Sequence, residues 1–135
     1  MKKILIGLVM LVMSVLGAFA QNNTDADSKQ GLEDTKFLLQ SESHILDFSK
    51  RTSSEIQHFV TYSSMYIGIF ASGPIDDKSY RIAKNLLNHV NMAVEILFEK
   101  KVMIKTQDDL NMFKLSMMQA DTNLRDARDR YYRNR

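Results

Sequence analysis

A glutamate and a histidine three residues apart are the residues best suited to metal chemistry in this sequence. In "EIQH", Glu55 and His58 lie on one face of a helix, the spacing at which carboxylate-bridged di-iron bundles present two of their ligands. If the chain folds back at residues 73–74, His89 lies opposite His58, and the two histidines could bind a metal ion or a haem. The sequence has no second Glu-x-x-His, which the di-iron pattern requires. Glu55, His58 and His89 are therefore candidate metal ligands, and we predict no bound cofactor.

The usual catalytic nucleophiles and phosphate-binding loops are missing from the sequence. The absence of cysteine excludes a thiol nucleophile, a disulfide scaffold and covalent c-type haem. No glycine-flanked serine is placed on a turn that could offer an oxyanion hole, and no glycine-rich phosphate loop occurs. The acidic pairs at residues 76–77 and 108–109 suit helix starts at opposite ends of a bundle. We predict that the protein is not an enzyme.

The first 20 residues have the three parts of a secretory signal peptide. Lys2 and Lys3 precede an apolar run over residues 4–16, and Ala18 and Ala20 form a small-residue cleavage site. The apolar run is shorter than the ~20 residues that a membrane-spanning helix needs. The leader resembles those of Gram-negative bacterial exports. We therefore predict cleavage after Ala20 and localisation to the periplasm or beyond the cell.

Removal of this leader changes the charge balance. The chain has 18 basic and 16 acidic residues, so loss of Lys2 and Lys3 makes the remainder neutral. Residues 21–77 carry nine acids and four bases, whereas residues 78–135 carry seven acids and twelve bases. A neutral exported chain is a poor nucleic-acid ligand, and we predict no nucleic-acid partner. Oppositely charged halves attract each other within one fold or between copies, which makes self-association possible.

The scarcity of glycine and proline predicts long helices. Residues 21–31 are polar and aperiodic, and we predict a flexible leader there. The remainder, residues 32–135, is predicted to be one all-α domain, an up-and-down bundle of three long helices, or of four with a break near residue 51. At that break, Thr52 and Glu55 predict a capping box. Gly73 is expected to end a helix in the left-handed conformation. The predicted helices span about residues 32–50, 53–72, 76–105 and 107–133.

Two patterns indicate how these helices pack. Small residues, Ser64 and Gly68, recur within the apolar segment 59–72 and allow a neighbouring helix to approach closely. The last predicted helix carries apolar residues alternately three and four apart, which is typical of a helix-packing seam. The seam consists of Leu110, Phe113, Met117, Ala120, Leu124, Ala127 and Tyr131.

Residues outside this seam are candidates for contact with a protein partner. Met112 and Met118 lie off the seam on the last helix, and methionine adapts to varied partners. At the end of the chain, Tyr132, Arg133 and Arg135 form a second candidate contact. Three acid–base pairs four residues apart are predicted to stabilise this helix end. They are Asp121–Arg125, Asp126–Arg130 and Asp129–Arg133.

These patterns favour an exported, non-catalytic interaction protein with at least one protein partner. We expect a small periplasmic component, or a chaperone, of an envelope or secretion-type assembly. One alternative is a metal- or haem-binding bundle that uses Glu55, His58 and His89. A second alternative is binding to a membrane surface through segment 59–72 and the tail, although we predict no membrane contact beyond the signal peptide.

Overall fold

The structure is a computed structural model that describes residues 25–134. Over this range the chain is all-α and contains no strand. The predicted signal peptide, residues 21–24 of the predicted leader, and Arg135 lie outside the described residues. The helices are α1 (Asp25–Leu39), α2 (Ser53–Ser72), α3 (Asp77–Glu99) and α4 (Gln107–Arg133), and a short 3-10 helix (Phe48–Lys50) lies between α1 and α2.

The four helices form a bundle around a central pair. Helices α2 and α3 pack against each other, α4 packs against both of them, and α1 packs mainly against α2 with a smaller contact to α3. Helices α1 and α4 thus cover different sides of the α2–α3 pair. None of the four described helices is both long enough and apolar enough to cross a membrane.

Side-chain caps define where three of the helices begin. Thr52 accepts a hydrogen bond from the Glu55 N–H at 3.1 Å, and the Glu55 carboxylate accepts one from the Thr52 N–H at 2.8 Å. This reciprocal pair confirms the predicted capping box at the start of α2. Asp76 caps α3 and Thr106 caps α4, each by accepting from the N–H three residues on.

Helix α1 lies earlier in the chain than the sequence predicted. Residues 25–31, which were expected to be flexible, belong to this helix. It ends at Leu39 and not near residue 50. Beyond it, the His44 ring stacks on Phe37 at 4.4 Å between centroids and hydrogen-bonds the Phe37 carbonyl at 2.9 Å. A break between the first two helices was expected near residue 51, and the structure replaces it with a connection of thirteen residues, 40–52.

This connection contributes to the core. Leu46 and Phe48, which fall within the predicted helix 32–50, are buried at 6% and 5% exposure in irregular and 3-10 backbone. The Phe48 ring packs edge-on against Phe59 at 5.2 Å. The hydrophobic effect favours burial of an apolar side chain in any backbone conformation, so the apolar residues of this stretch do not require a helix.

Helix α3 ends earlier than predicted, at a Schellman motif. The backbone N–H of Lys101 donates to the Phe98 carbonyl at 3.1 Å, and that of Val102 donates to the Leu97 carbonyl at 2.9 Å. Lys101 adopts the left-handed conformation that this motif requires, with φ of 55°. Gly73, for which that conformation was predicted, has extended backbone with φ of −122°.

Most of the core residues belong to α2, α3 and α4, and Leu38 of α1 is buried with them. Ser64 and Gly68 of α2 are buried there, consistent with a close helix approach. On α4, Tyr131 of the predicted seam is partly exposed, and the other six residues are buried. Those six are Leu110, Phe113, Met117, Ala120, Leu124 and Ala127.

Candidate interaction surface

The structure gives two of the candidate metal ligands other roles. The Glu55 carboxylate belongs to the cap of α2. His89 is buried at 4% exposure, and both of its ring nitrogens take part in hydrogen bonds. Its Nδ1 lies 2.8 Å from the Asn85 carbonyl, to which it donates, and its Nε2 accepts from the Leu46 N–H at 3.2 Å. His89 is therefore a neutral imidazole that fixes the connection between α1 and α2 to α3.

The third candidate, His58, faces a different helix. It packs against Gly31 of α1, and its buried Nε2 has no hydrogen-bond partner within residues 25–134. Desolvation lowers the pKa of His58, and the charge of Asp27 opposes this shift in part. Within the described chain, no three His, Cys, Asp or Glu side chains lie close enough together to hold a metal ion. The fold thus does not gather Glu55, His58 and His89 into one site.

The end of α4 binds to the turn between α2 and α3. The Arg130 guanidinium donates to the Ala71 carbonyl at 3.3 Å, and the Ile75 N–H donates to the Ala127 carbonyl at 3.2 Å. Arg128 stacks over the Tyr80 ring at 4.3 Å. These contacts explain how a helix end with few apolar residues stays attached to the bundle.

Only the first of the three predicted acid–base pairs forms in the described chain. Arg125 binds Asp121 at 2.7 Å. Arg130 is directed to the Ala71 carbonyl, and Asp129 lies 3.9 Å from Arg128. The predictions for the second and third pairs, Asp126–Arg130 and Asp129–Arg133, were wrong. Arg130 instead binds a carbonyl at the end of α2, a partner that helix spacing alone does not reveal. Beyond these pairs, Tyr132 and Arg133 are exposed at the helix end, and Arg135 is not described.

The outward face of α4 carries exposed apolar side chains. Met112 and Met118 are 51% and 67% exposed, and Leu115 between them is 66% exposed. Sequence analysis did not select Leu115, although it lies three residues from each methionine and therefore on the same face of the helix. Helix α4 thus has an apolar outward face in addition to its buried seam.

A groove of about 630 Å³ lies beside this apolar face, between α3 and α4. Its rim is charged: Lys84 of α3 binds Asp121 at 2.5 Å, and Lys114 of α4 binds Glu95 at 2.5 Å. Its lining combines apolar and polar side chains from both helices. Six of the lining residues are Lys84, Leu87, Asn91, Leu115, Met118 and Arg125.

The apolar segment 59–72 contributes mainly to the core. Phe59, Val60 and Ile67 are at most 1% exposed, whereas Ile69 is 65% exposed and Met65 is 39% exposed. The two exposed side chains lie one turn apart on α2. The apolar character of this segment therefore reflects helix packing more than an outward surface.

Comparison with known proteins identifies no relative. No protein-family model, no curated protein and no solved structure matches the chain.

Proposed function

We propose that this protein is an exported, non-catalytic helical interaction protein that works as a small component or chaperone of an envelope assembly. Its contact surface is the α3–α4 face, centred on the exposed side chains of Leu115 and Met118. Export is supported by the leader sequence, and the interaction role is supported by this face. The two parts of the proposal are tested separately.

The observation that carries the proposal is the exposure of three large apolar side chains in succession on one helix face. Met112, Leu115 and Met118 are each more than half exposed, and Leu115 and Met118 line a groove. Single exposed apolar residues are ordinary on protein surfaces, but a contiguous apolar patch rimmed by charges is typical of protein–protein contact sites. A depression next to exposed apolar side chains also suits insertion of a partner's side chains.

Site-specific photo-cross-linking in the native host tests the interaction role. A photoreactive amino acid replaces Leu115 in the full chain, and adducts are separated by mass and identified by mass spectrometry. We expect Leu115 to form an adduct with a protein, either another protein or a second copy of the chain. The same probe at Ile69, which is equally exposed on α2, is the matched control and should form far less.

Two outcomes count against this surface. An absence of protein adducts at Leu115 would overturn the proposed role, and adducts of equal yield at Leu115 and Ile69 would show that the α3–α4 face is not distinctive. Export is tested by the intact mass of the chain from periplasmic and medium fractions. We expect the mass of a chain that begins at Gln21, and full-length chain confined to the cytoplasm would overturn export.

A further inference from the structure

Exposed residues on α4 form a second stripe at coiled-coil spacing. Its side chains face solvent, unlike those of the buried seam. Six positions alternate three and four apart and are all exposed, which is the a/d spacing of a heptad. We name this set the outer stripe. Its members are Asp108, Asn111, Leu115, Met118, Thr122 and Arg125.

The outer stripe is complementary to itself when two copies run antiparallel. In an antiparallel helix pair, a positions face d positions of the other helix, and a twofold axis repeats each contact. With the axis midway between Leu115 and Met118, each Leu115 faces the other copy's Met118. The next layer on either side pairs an asparagine with a threonine, both able to hydrogen-bond. The outermost layer pairs Asp108 with Arg125, which carry opposite charges.

We propose that a second copy of this chain occupies the outer stripe, with the two α4 helices antiparallel about a twofold axis between Leu115 and Met118. The inference rests on the proposed function in that it takes the α3–α4 face as the contact surface and names its partner. An apolar centre, a polar layer and an ionic layer repeat symmetrically, as an isologous interface requires.

The surroundings of the stripe fit this arrangement. Leu115, Met118, Thr122 and Arg125 also line the groove between α3 and α4, so the second helix lies along the groove. Arg125 already binds Asp121, but its side chain is 58% exposed. Because a guanidinium has five N–H donors, it can bind Asp108 of the other copy without releasing Asp121.

Sedimentation equilibrium over a range of concentrations tests whether the purified processed chain self-associates. We expect a monomer–dimer equilibrium that Leu115→Glu shifts fully to monomer, because a carboxylate then faces the other copy's Met118 in both central layers of the interface and is buried without a partner. Ile69→Glu places the same charge at an equally exposed site on α2 and should leave the dimer unchanged. Circular dichroism verifies that both variants fold. A monomer at every concentration, or equal effects of the two substitutions, would overturn the proposal.

Cysteine pairing tests the antiparallel register, and the chain suits it because it has no native cysteine. Asn111→Cys and Thr122→Cys are made in separate chains. A disulfide requires Cα atoms within about 7 Å, and residues 111 and 122 are ~16 Å apart along the helix. We expect disulfide dimers in the mixture of the two variants and almost none in either variant alone. Dimers formed by either variant alone would contradict the register, as would a mixture that gives none.

Charge exchange tests the ionic layer. Asp108→Arg and Arg125→Asp each place like charges opposite one another at both ends of the dimer, and each should weaken it about tenfold. Mixing the two variants restores opposite charges at both ends, so the mixed dimer should regain the native affinity. A mixture no tighter than either variant alone would exclude this pairing.

The inference and the proposed function fail in different ways. If the purified chain is monomeric but Leu115 cross-links another protein in the host, the second copy is the wrong partner and the interaction role stands. If Leu115 forms no adduct in the host, the proposed interaction role is wrong, whether or not the purified chain forms a dimer.

Discussion

The two sides of the central α2–α3 pair are held by different physical interactions. On the α4 side, apolar side chains at heptad spacing are buried, and Ala120, Leu124 and Ala127 have no exposed surface at all. On the α1 side, one leucine, Leu38, is also fully buried, but the other contacts are hydrogen bonds, one ion pair and a close backbone approach at Gly31. Helix α4 is bound mainly by the apolar surface that it buries, whereas α1 depends on one buried leucine and on the geometry of several polar groups.

The ion pair on the α1 side joins α1 to the connection that follows it. The Arg51 guanidinium makes two hydrogen bonds to the Asp34 carboxylate, at 2.7 and 2.9 Å, and Gln30 makes a third at 2.9 Å. Asp34 is only 4% exposed. The hydrogen bond to this carboxylate is the main cause that raises the pKa of Arg51 above its ordinary value.

Hydroxyl groups supply further hydrogen bonds between α1 and α2. Thr35 and Ser63 are fully buried and share a hydrogen bond of 3.0 Å, and Ser28 binds the Tyr62 hydroxyl at 2.9 Å. Buried polar groups are costly when their partners are lost, so this interface depends on all of its members being in place. The comparison indicates that the α4 side contributes most of the stability, whereas the polar contacts on the α1 side fix the position of α1 against α2.

The largest expected effect is on the α4 side. Leu124→Ala removes a fully buried side chain from the seam and should lower the free energy of unfolding by about 2–5 kcal/mol. The matched control is Leu115→Ala on the exposed face of the same helix, which should change it by less than about 0.5 kcal/mol. Urea denaturation of dilute protein measures both, and equal losses would contradict the assignment of the two faces.

The largest effect on the α1 side comes from the ion pair. Asp34→Asn removes the charge partner of Arg51, whose side chain is 23% exposed, and we expect a loss of about 2 kcal/mol after allowance for that solvent access. Asp129→Asn, at a side chain that is 58% exposed, should cost less than about 0.5 kcal/mol. A loss at Asp34 no greater than at Asp129 would mean that the buried pair adds nothing to stability.

A smaller effect should follow from adding one methyl group to α1. Alanine is a better helix former than glycine by about 1 kcal/mol, so Gly31→Ala would stabilise an isolated helix. Here the new Cβ would lie 2.5 Å from the His58 Cβ and 2.7 Å from the Phe59 backbone nitrogen. Because α1 must move away, we expect a net loss of about 1–2 kcal/mol.

Hydrogen exchange locates this effect. Amides of α1 should exchange faster in Gly31→Ala, while those of α4 keep their protection at early exposure times. Glu33→Ala, at an exposed position of the same helix, controls for the change in helix propensity. A gain in stability for Gly31→Ala would show that α1 does not need the close approach.

The smallest expected effect is a pH dependence from His58. Because burial lowers the pKa of His58 in the folded chain, the unfolded chain takes up a proton at higher pH than the folded chain does. The stability contribution of neutral His58 is therefore complete above about pH 6.5 and is lost as the pH falls below it. The difference in unfolding free energy between the wild type and His58→Gln should shrink with acidification. A difference that stays constant between about pH 5 and pH 8 would contradict this sign.

The same comparison explains which parts of the fold the sequence predicted. The seam of α4 repeats apolar residues every three or four positions, so it was visible without a structure. Helix α1 was misplaced because Leu38 is the one large apolar residue that it buries completely, and its other buried residues, Gly31, Asp34 and Thr35, carry no apolar periodicity. The cap of α2 was predictable because capping is a local interaction: Thr52 and Glu55 each bind a backbone group only three residues away.

In the candidate site, too, some features follow from residue spacing and others depend on tertiary contacts. Met112 and Met118 were selected because they fall off the seam, a property that residue spacing determines. The groove beside them depends on the distance between α3 and α4, and the separation of Glu55, His58 and His89 depends on which neighbour each side chain meets. Distances of this kind join residues far apart in the chain, where spacing gives no information.

The sequence by itself determined that this chain forms helices, where three of them begin, and which face of α4 is buried. These features follow from local hydrogen bonds and from the 3.6-residue repeat, which act within a few positions along the chain. Only the tertiary structure decided that residues 25–31 belong to α1, that Arg130 of α4 binds the Ala71 carbonyl at the end of α2, and that the outer stripe stays uncovered over the described residues. Each of these depends on which surface another helix supplies, because burial is a property of the assembled bundle and not of any one segment.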